Sequence, residues 1–187
     1  MSTPTDSPGD RERRFRAAYA AAYADLLRFV SRRIHPSHAE DVVADVFLVA
    51  WRRVADLPDD RDDQRAWLFG IARLTLLGHH RADRRRDALT VRIAEQPQPG
   101  ADIAPGLVAM RLDLIRVWPS LTAEQQEVIA LTAWDGLDGP TAARVLGITA
   151  VAYRLRLSRA RRTLRRLLDH PAPSPARSSA LAEGTPS

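Results

Sequence analysis

The sequence predicts an all-α protein: two small helical domains joined by a flexible linker, the C-terminal domain being a helix-turn-helix. Three observations lead to this prediction. Apolar residues recur every three or four positions through most of the chain. A proline- and glutamine-rich stretch without helical or strand periodicity interrupts them near the middle. Near the C-terminus a short helix, a glycine and a longer basic helix follow one another, which is typical of a helix-turn-helix.

These patterns divide the chain into five segments. The polar termini, rich in proline and small residues, are predicted to be disordered because they cannot bury a core. The predicted order is a tail (1–10), a first domain (11–86), a linker (87–107), a second domain (108–169) and a second tail (170–187).

The first domain begins with two predicted helices. The first starts near Arg11 and runs to Ile34, and Pro36 then breaks it. Ser37 is a plausible N-cap for the next helix, with Glu40 placed to complete a capping box. This second helix spans 38–54, and its predicted buried stripe consists of Val42, Val43, Val46, Phe47, Ala50 and Val54.

The second helix also has a charge asymmetry with two interpretations. Glu40, Asp41 and Asp45 lie near its start, and Arg52 and Arg53 lie at its end. This order suits the helix dipole, which favours acids at the N-terminus and bases at the C-terminus. The same acids could instead form a docking surface for a basic partner. The residues alone do not separate the two interpretations.

A third helix follows an acidic turn at 57–63. Its predicted core residues are Trp67, Leu68, Ile71, Leu74 and either Leu76 or Leu77, with Gly70 allowing close helix packing. The helix ends in a basic cluster, Arg81, Arg84, Arg85 and Arg86. This cluster is either a solvated helix end or a contact for nucleic acid.

The second domain is predicted to contain four helices. Val108, Leu112, Ile115 and Trp118 have helical spacing, and Pro119 interrupts them. Ser120 or Thr122 is expected to cap the next helix, with Gln126 or Glu127 completing a capping box. The apolar side of that helix would consist of Val128, Ile129, Leu131, Thr132 and Trp134, and Gly136 would end it.

The helix-turn-helix occupies residues 139–168. Gly147 supplies the turn between its two helices, and Thr149 is a good N-cap for the second. One side of that second helix is apolar and the other carries seven arginines, with no acidic residue between Arg154 and Arg166. Seven like charges repel one another unless a polyanion neutralises them. The pattern therefore predicts a helix that enters the major groove of DNA.

The composition agrees with a nucleic-acid partner and excludes several other classes. The formal charge is +5, the sequence pI is about 10.7, and all 28 basic residues are arginine. The absence of cysteine excludes disulfides and thiolate chemistry. Neither a membrane span nor a secretion signal is found, which predicts a cytoplasmic protein. No catalytic, metal or cofactor constellation appears, so no enzymatic activity, cofactor or small-molecule substrate is expected.

With these motifs in order, the chain resembles the extracytoplasmic-function group of bacterial RNA polymerase sigma factors. AEDVVADVFLVAWRR at 39–53 is similar to the polymerase-binding helix of that family. RAWLFGIARLTLLGHHRADRRR at 65–86 resembles the segment that reads the −10 element, the two together forming region 2. The stretch 118–168 resembles region 4, which binds the −35 element. The resemblance covers about residues 11–168, in the family's order.

The resemblance implies a promoter-directing initiation factor whose partners are core RNA polymerase, promoter DNA and, in many members, an anti-sigma factor. It implies that Glu40, Asp41, Asp45, Leu48 and Arg52 contact the polymerase. For the −10 strand it implies Arg73, Arg81, Arg84 and Arg85. For the −35 element it implies Thr149, Ala150, Val151, Arg154, Leu155, Arg156, Ser158, Arg159 and Arg161.

Four residues depart from those usual in the family. Ala44 stands where a polar residue is usual, Leu74 where asparagine is usual, and Ala152 where threonine is usual. Leu155 stands where a basic or small polar residue is usual. The resemblance therefore does not carry the family's base preferences over to this chain.

Two other functions remain as alternatives. A helix-turn-helix regulator would bind its operator without polymerase and would use the N-terminal domain for sensing or dimerisation. A catalytic domain fused to a DNA reader would need positioned polar groups, and the sequence offers none. The segment 40–53 discriminates the first alternative, because a sigma factor needs its acidic surface for polymerase and a repressor does not.

Overall fold

The computed structural model describes residues 7–82 and 105–170, and within them it contains seven α-helices and no strand. Three helices precede the gap: α1 (Pro8–Ser31), α2 (Ala39–Arg52) and α3 (Arg61–Ala82). Four follow it: α4 (Pro105–Val117), α5 (Ala123–Ala133), α6 (Gly139–Leu146) and α7 (Ala150–Asp169). Short 3-10 helices at Pro36–His38, Val54–Asp56 and Trp118–Ser120 lead into or out of them. The all-α prediction is confirmed. Nearly all of the predicted linker and C-terminal tail lies outside the described residues.

The three N-terminal helices pack around a common apolar core. All six residues of the predicted α2 stripe are buried, although α2 ends at Arg52 and Val54 lies in the 3-10 helix that follows. On α3 the buried face lies elsewhere than expected. Leu68, Ile71 and Leu76 are buried, but Leu74 is 65% exposed. Phe69 and Ala72 are fully buried, and Phe69 lies 4.8 Å from the ring of Phe29 on α1.

Helix starts differ from the predictions where another side chain supplies the cap. α1 begins at Pro8, earlier than Arg11, because Ser7 accepts a hydrogen bond from Asp10 N and proline suits the first turn. Ser37 does not cap α2, because its hydroxyl bonds His35 Nδ1 at 2.7 Å, and the capping box with Glu40 does not form. α3 begins at Arg61, inside the predicted acidic turn, where Asp60 accepts from two backbone amides.

In the C-terminal half, α5 begins with the predicted type of cap but a different partner. Thr122 and Gln125 form a reciprocal capping box at 3.2 and 3.0 Å. Gln126 and Glu127, the residues expected to complete the box, are instead buried. Gln126 donates to the carbonyls of Trp118 and Leu121.

Helix α4 is more exposed than its pattern predicted. Val108 is 43% exposed and Leu112 is 61% exposed, whereas Trp118, just beyond the helix, is buried against the ring of Trp134.

Gly147 ends α6 as predicted, whereas α5 ends at Ala133 with Trp134 as its C-cap, three residues before Gly136. Gly136 has φ 62° and Gly147 has φ 67°, a backbone conformation that favours glycine. The prediction for Gly70 on α3 is wrong. A β-carbon at Gly70 would meet no other atom within 4 Å, so this glycine does not serve close helix packing.

The two halves pack against each other, α6 lying on α3. The contact is held by a buried ion cluster around Arg33, whose side chain is fully buried. Arg33 Nη2 lies 2.9 Å from Asp135 Oδ2, and Arg33 Nε lies 3.2 Å from Glu127 Oε2. Arg32 pairs with Asp135 at 2.7 Å, and Arg65 donates to the Asp135 carbonyl at 2.6 Å. Charged residues of both halves thus form one interface.

Tyr153 of α7 allows a prediction on pH dependence. Its buried hydroxyl donates to the Val128 carbonyl at 2.8 Å and lies 2.7 Å from Thr132 Oγ1. Burial raises the pKa of Tyr153 above its usual value, so the folded protein holds the phenol proton more tightly than the unfolded chain. The resulting stability is complete below a pH of about 10 and is lost as pH rises through the raised pKa.

We therefore expect Tyr153→Phe to cost about 1 kcal/mol at pH 8 through lost hydrogen bonding, and to flatten the fall in stability above a pH of about 10. Urea unfolding of both proteins at a series of pH values checks this. Tyr19 and Tyr23 are present in both proteins and cancel in the comparison. Parallel curves for the two proteins would show that Tyr153 does not carry the alkaline loss of stability.

Candidate nucleic-acid interface

The helix-turn-helix is held in place by local signals at both of its helix starts. Asp138 caps α6 by accepting from Thr141 N at 2.8 Å, and hydrogen bonding to Thr141 lowers the pKa of the Asp138 carboxyl. Thr149 caps α7 by accepting from Ala152 N at 3.1 Å. Tyr153 and Ala160 anchor the inner face of α7 in the core. The opposite face, from the first turn onward, consequently faces outward.

The outward face of α7 carries exposed arginines. Only one of them has an acidic partner among the described residues: Arg156 Nη1 lies 2.5 Å from Glu124 Oε1 on α5. Within residues 7–82 and 105–170, no ion pair involves the others, Arg154, Arg159, Arg161, Arg162, Arg165 and Arg166. Their mutual repulsion would be relieved by a polyanion laid along the helix.

The structure brings the predicted −35 residues to one end of this face. Ala150 is half-buried, and the other eight are exposed: Thr149, Val151, Arg154, Leu155, Arg156, Ser158, Arg159 and Arg161. Arg162 and Arg165 were not among the predicted site residues. They line a shallow groove with Arg154, Ser158 and Arg161. The signal that could have included them is four-residue spacing from predicted residues, since Arg162 follows Ser158 and Arg165 follows Arg161 by four positions.

The −10 residues implied by the resemblance are only partly visible. Arg73 lies on α3, half-buried, and its Nε has no hydrogen-bond partner within the described part of the chain. It lines a cavity of about 500 Å³ between α3 and α6, together with Trp67, Leu74 and Arg144. Arg84 and Arg85 lie outside the described residues, as does the side chain of Arg81. This face of α3 is therefore partly covered by the helix-turn-helix.

The acidic residues of α2 form an exposed stripe on the opposite side of that helix from its core. Asp41, Asp45, Leu48 and Arg52 follow one another at helical spacing, all exposed, and Glu40 lies beside them. Leu48 is 48% exposed, which is unusual for a leucine on a solvated face. Asp45 Oδ2 lies 3.2 Å from His79 Nε2 on α3. Beside the stripe lies Trp51, 44% exposed and in edge contact with Phe15 at 5.0 Å, which the sequence interpretation missed.

This surface combines acids with exposed apolar groups. A helix that needed acids only for its dipole would have no use for Leu48 and Trp51 at the surface. Aromatic and apolar side chains surrounded by charges are typical of protein–protein contacts. The geometry therefore favours the docking interpretation of α2 over simple helix electrostatics.

Other kinds of site are not found in the described ranges. No group of three or more histidine or acidic residues there could hold a metal ion. No helix in those ranges is both long and apolar enough to cross a bilayer.

Two family profiles match the chain. The one described as Sigma-70 region 2 matches residues 18–86, and the one described as Sigma-70, region 4 matches residues 111–164. The RNA polymerase sigma factor CnrH of Cupriavidus metallidurans is 37% identical over 163 residues, 82% of this chain and 84% of CnrH. The ECF RNA polymerase sigma factor SigL of Mycobacterium tuberculosis is 31% identical over 154 residues, 80% of this chain and 86% of SigL.

Two solved structures are similar along most of their length. The structure of CnrH in complex with the cytosolic domain of CnrY has a TM-score of 0.58 at 32% identity, covering 86% of this chain and 91% of that one. The sigma factor RpoE of Bartonella quintana, in complex with the anti-sigma factor NepR, has a TM-score of 0.56 at 25% identity. The match covers 87% of this chain and 99% of the RpoE chain.

Proposed function

Since this chain belongs to the sigma-70 family of RNA polymerase sigma factors, in its ECF group, we propose that α2 docks on the polymerase and that α3 and α7 read the promoter. As a sigma factor it is a promoter-directing initiation factor and not an enzyme. Its partners are core RNA polymerase and promoter DNA. We infer that it acts in the bacterial cytoplasm, where both are found.

The −35 element is assigned to α7. The observation that carries the assignment is the row of exposed arginines without acidic partners in the described chain, on a helix whose opposite face is anchored by Tyr153 and Ala160. Thr149, Ala150, Val151, Arg154, Leu155 and Ser158 form the end of α7 that approaches the base edges. Arg156, Arg159 and Arg161 hold the phosphates, and Arg156 exchanges Glu124 for a phosphate when DNA arrives.

The −10 strand is assigned to α3 and the segment after it, through Arg73, Arg81, Arg84 and Arg85. Arg73 supports this, because its Nε lacks a partner in the described chain and a single strand would supply phosphate oxygens to it. Within the described chain α6 lies beside Arg73, so α6 has to move away before a strand reaches this face.

Polymerase docking is assigned to the α2 stripe of Glu40, Asp41, Asp45, Leu48 and Arg52. We expect Asp45→Arg to weaken binding of core polymerase at least about tenfold, because like charges facing each other across an interface cost several kcal/mol. Affinity of labelled full-length protein for core polymerase measures this. Asp113→Arg on α4 is the matched control. The Asp45 and Asp113 side chains are each 53% exposed, and each lies against one basic side chain, His79 and Arg116 respectively. Equal affinity for the two variants would place the docking surface elsewhere.

A regulatory partner is also proposed. CnrH and RpoE, whose structures this chain resembles, were solved with the cytosolic domain of CnrY and the anti-sigma factor NepR respectively. We infer that a protein of the anti-sigma class binds this chain and restrains it.

Run-off transcription tests the proposed function as a whole. Bacterial core polymerase is supplied with randomised templates, with and without the full-length protein. Specific transcripts that need the protein, and that share two conserved elements upstream, are the expected result. Absence of transcripts, combined with tight binding of DNA by the protein alone, would favour a regulator that works without polymerase.

A further inference from the structure

The start of α7 exposes two large apolar side chains inside its basic face. Val151 is 57% exposed and Leu155 is 54% exposed. They are four residues apart, so they lie one above the other on the helix surface, with β-carbons about 5–6 Å apart. The other leucines of α7 that belong to its inner side, Leu157, Leu164 and Leu167, pack against the core. Val151 and Leu155 do not belong to that core contact and expose more than half of their surface.

The surroundings of the pair define the chemistry of its partner. Arg154 is the neighbour of Leu155, Ser158 lies one turn further on, and no acidic residue occurs between Ala150 and Leu168. An apolar protein surface would have to carry many acids to approach this face. DNA supplies the required combination, a phosphate polyanion with one apolar group on its base edges, the C5 methyl of thymine in the major groove.

We propose that Val151 and Leu155 read the methyl groups of two thymines in the −35 element. The proposal rests on the assignment of α7 to that element. Base pairs rise about 3.4 Å each, so side chains about 5–6 Å apart at their β-carbons reach methyls one or two base-pair steps apart. Arg154 and Ser158 hydrogen-bond the flanking base edges or phosphates. The apolar pair thus determines which promoters the protein selects.

Deoxyuridine tests this directly, because it lacks only the C5 methyl and keeps every hydrogen bond of thymine. Each −35 thymine of a promoter selected in the transcription assay is replaced singly by deoxyuridine, and holoenzyme affinity is measured by competition. Burial of one methyl corresponds to roughly a fourfold change in affinity. We expect two positions to show that loss and the remaining thymines to show none.

Alanine variants assign each methyl to its side chain. Leu155→Ala should abolish the deoxyuridine effect at one position and Val151→Ala at the other, the result of a double-mutant cycle between side chain and methyl. Both side chains are exposed, so these changes leave no cavity, and thermal melts verify that the fold is retained. Leu112→Ala is the matched control, an exposed leucine on α4, and should keep both effects.

The outcomes separate this inference from the proposed function. Promoter-specific transcription that is insensitive to deoxyuridine throughout the −35 element overturns methyl reading and leaves the sigma-factor assignments intact. A deoxyuridine effect that persists unchanged in both alanine variants also overturns it, because other side chains then contact the methyls. Failure to obtain any promoter-specific transcript overturns the assignment of α7 and the inference with it.

Discussion

Replacement of Arg33 by alanine is expected to separate the two halves of the protein. Arg33 lies just after α1, and its fully buried guanidinium binds Glu127 and Asp135 from the other half. It also donates to the Phe29 carbonyl at 2.9 Å and lies 3.6 Å from the Phe29 ring centre. Removing one partner of a buried ion cluster leaves the other charges uncompensated, which costs about 3–5 kcal/mol. Glu127 already has one buried oxygen without a hydrogen bond in the described chain, so it tolerates this loss poorly.

Separation relieves that cost, because both carboxylates then regain water. The chain lacks cysteine, so two introduced ones, Arg16→Cys on α1 and Arg166→Cys on α7, can carry a donor and an acceptor dye. We expect lower energy transfer in Arg33→Ala with unchanged helical circular dichroism. Arg28→Ala is the control, since Arg28 pairs with Asp25 at the surface, where such pairs contribute about 0–1 kcal/mol.

Unchanged energy transfer together with an unchanged helical signal would show that the Arg33 cluster does not hold the halves together. Loss of the helical signal would instead show that the halves do not fold apart from each other. The two measurements distinguish these results within one set of samples.

The arrangement of the halves bears on promoter binding. The names of the −10 and −35 elements place them about 25 base pairs apart, which is roughly 85 Å along DNA at about 3.4 Å per base pair. Within the described structure α6 packs on α3, so the two reading surfaces lie much closer together. Residues 83–104 connect α3 to α4 and at full extension span about 75 Å, at ~3.3–3.6 Å per residue. Together with the lengths of the helices this is enough for both elements, provided that the ion cluster opens.

The features that the sequence predicted correctly are those that depend on neighbours along the chain. Gly147 with positive φ and Thr149 as N-cap define the turn within three residues, and both are found as expected. The buried stripe of α2 follows from its period. The capping box of α5 was predicted with Gln126 or Glu127 as the partner, whereas Gln125 forms it, because consecutive polar residues at 124–127 leave the third helical position ambiguous.

The features that the sequence did not predict depend on contacts between residues distant in the chain. Arginine side chains are usually solvated, but Arg33 is buried because it pairs with carboxylates 94 and 102 positions away in the sequence. Leu74 fits a helical period yet is exposed, because α3 contacts α2 on one side and α6 on another and its buried face is set by both. Periodicity identifies an apolar face but not which neighbours cover it. For the same reason, it could not show that Arg73 lies beside the helix-turn-helix.

Among the exposed arginines of α7, Arg154 is expected to contribute most to promoter selectivity. It lies in the second turn, next to Leu155, where a recognition helix contacts base edges, and no described acidic residue pairs with it. We expect Arg154→Ala to weaken holoenzyme binding to the selected promoter by about 1–3 kcal/mol. The loss should nearly vanish on a promoter whose −35 element has been scrambled, because the contact is to a base.

Arg165→Ala provides the comparison on the same helix. Arg165 lies about three turns further along, at ~3.6 residues per turn, away from the end of α7 that approaches the base edges, a position suited to a phosphate. Its loss should weaken binding equally on both promoters and reduce the slope of log affinity against log salt by about 0.9. If Arg154→Ala behaved in the same way, with equal loss on both promoters and a reduced salt slope, Arg154 would be a phosphate contact. The base-specific contacts of α7 would then be made by Val151, Leu155 and Ser158.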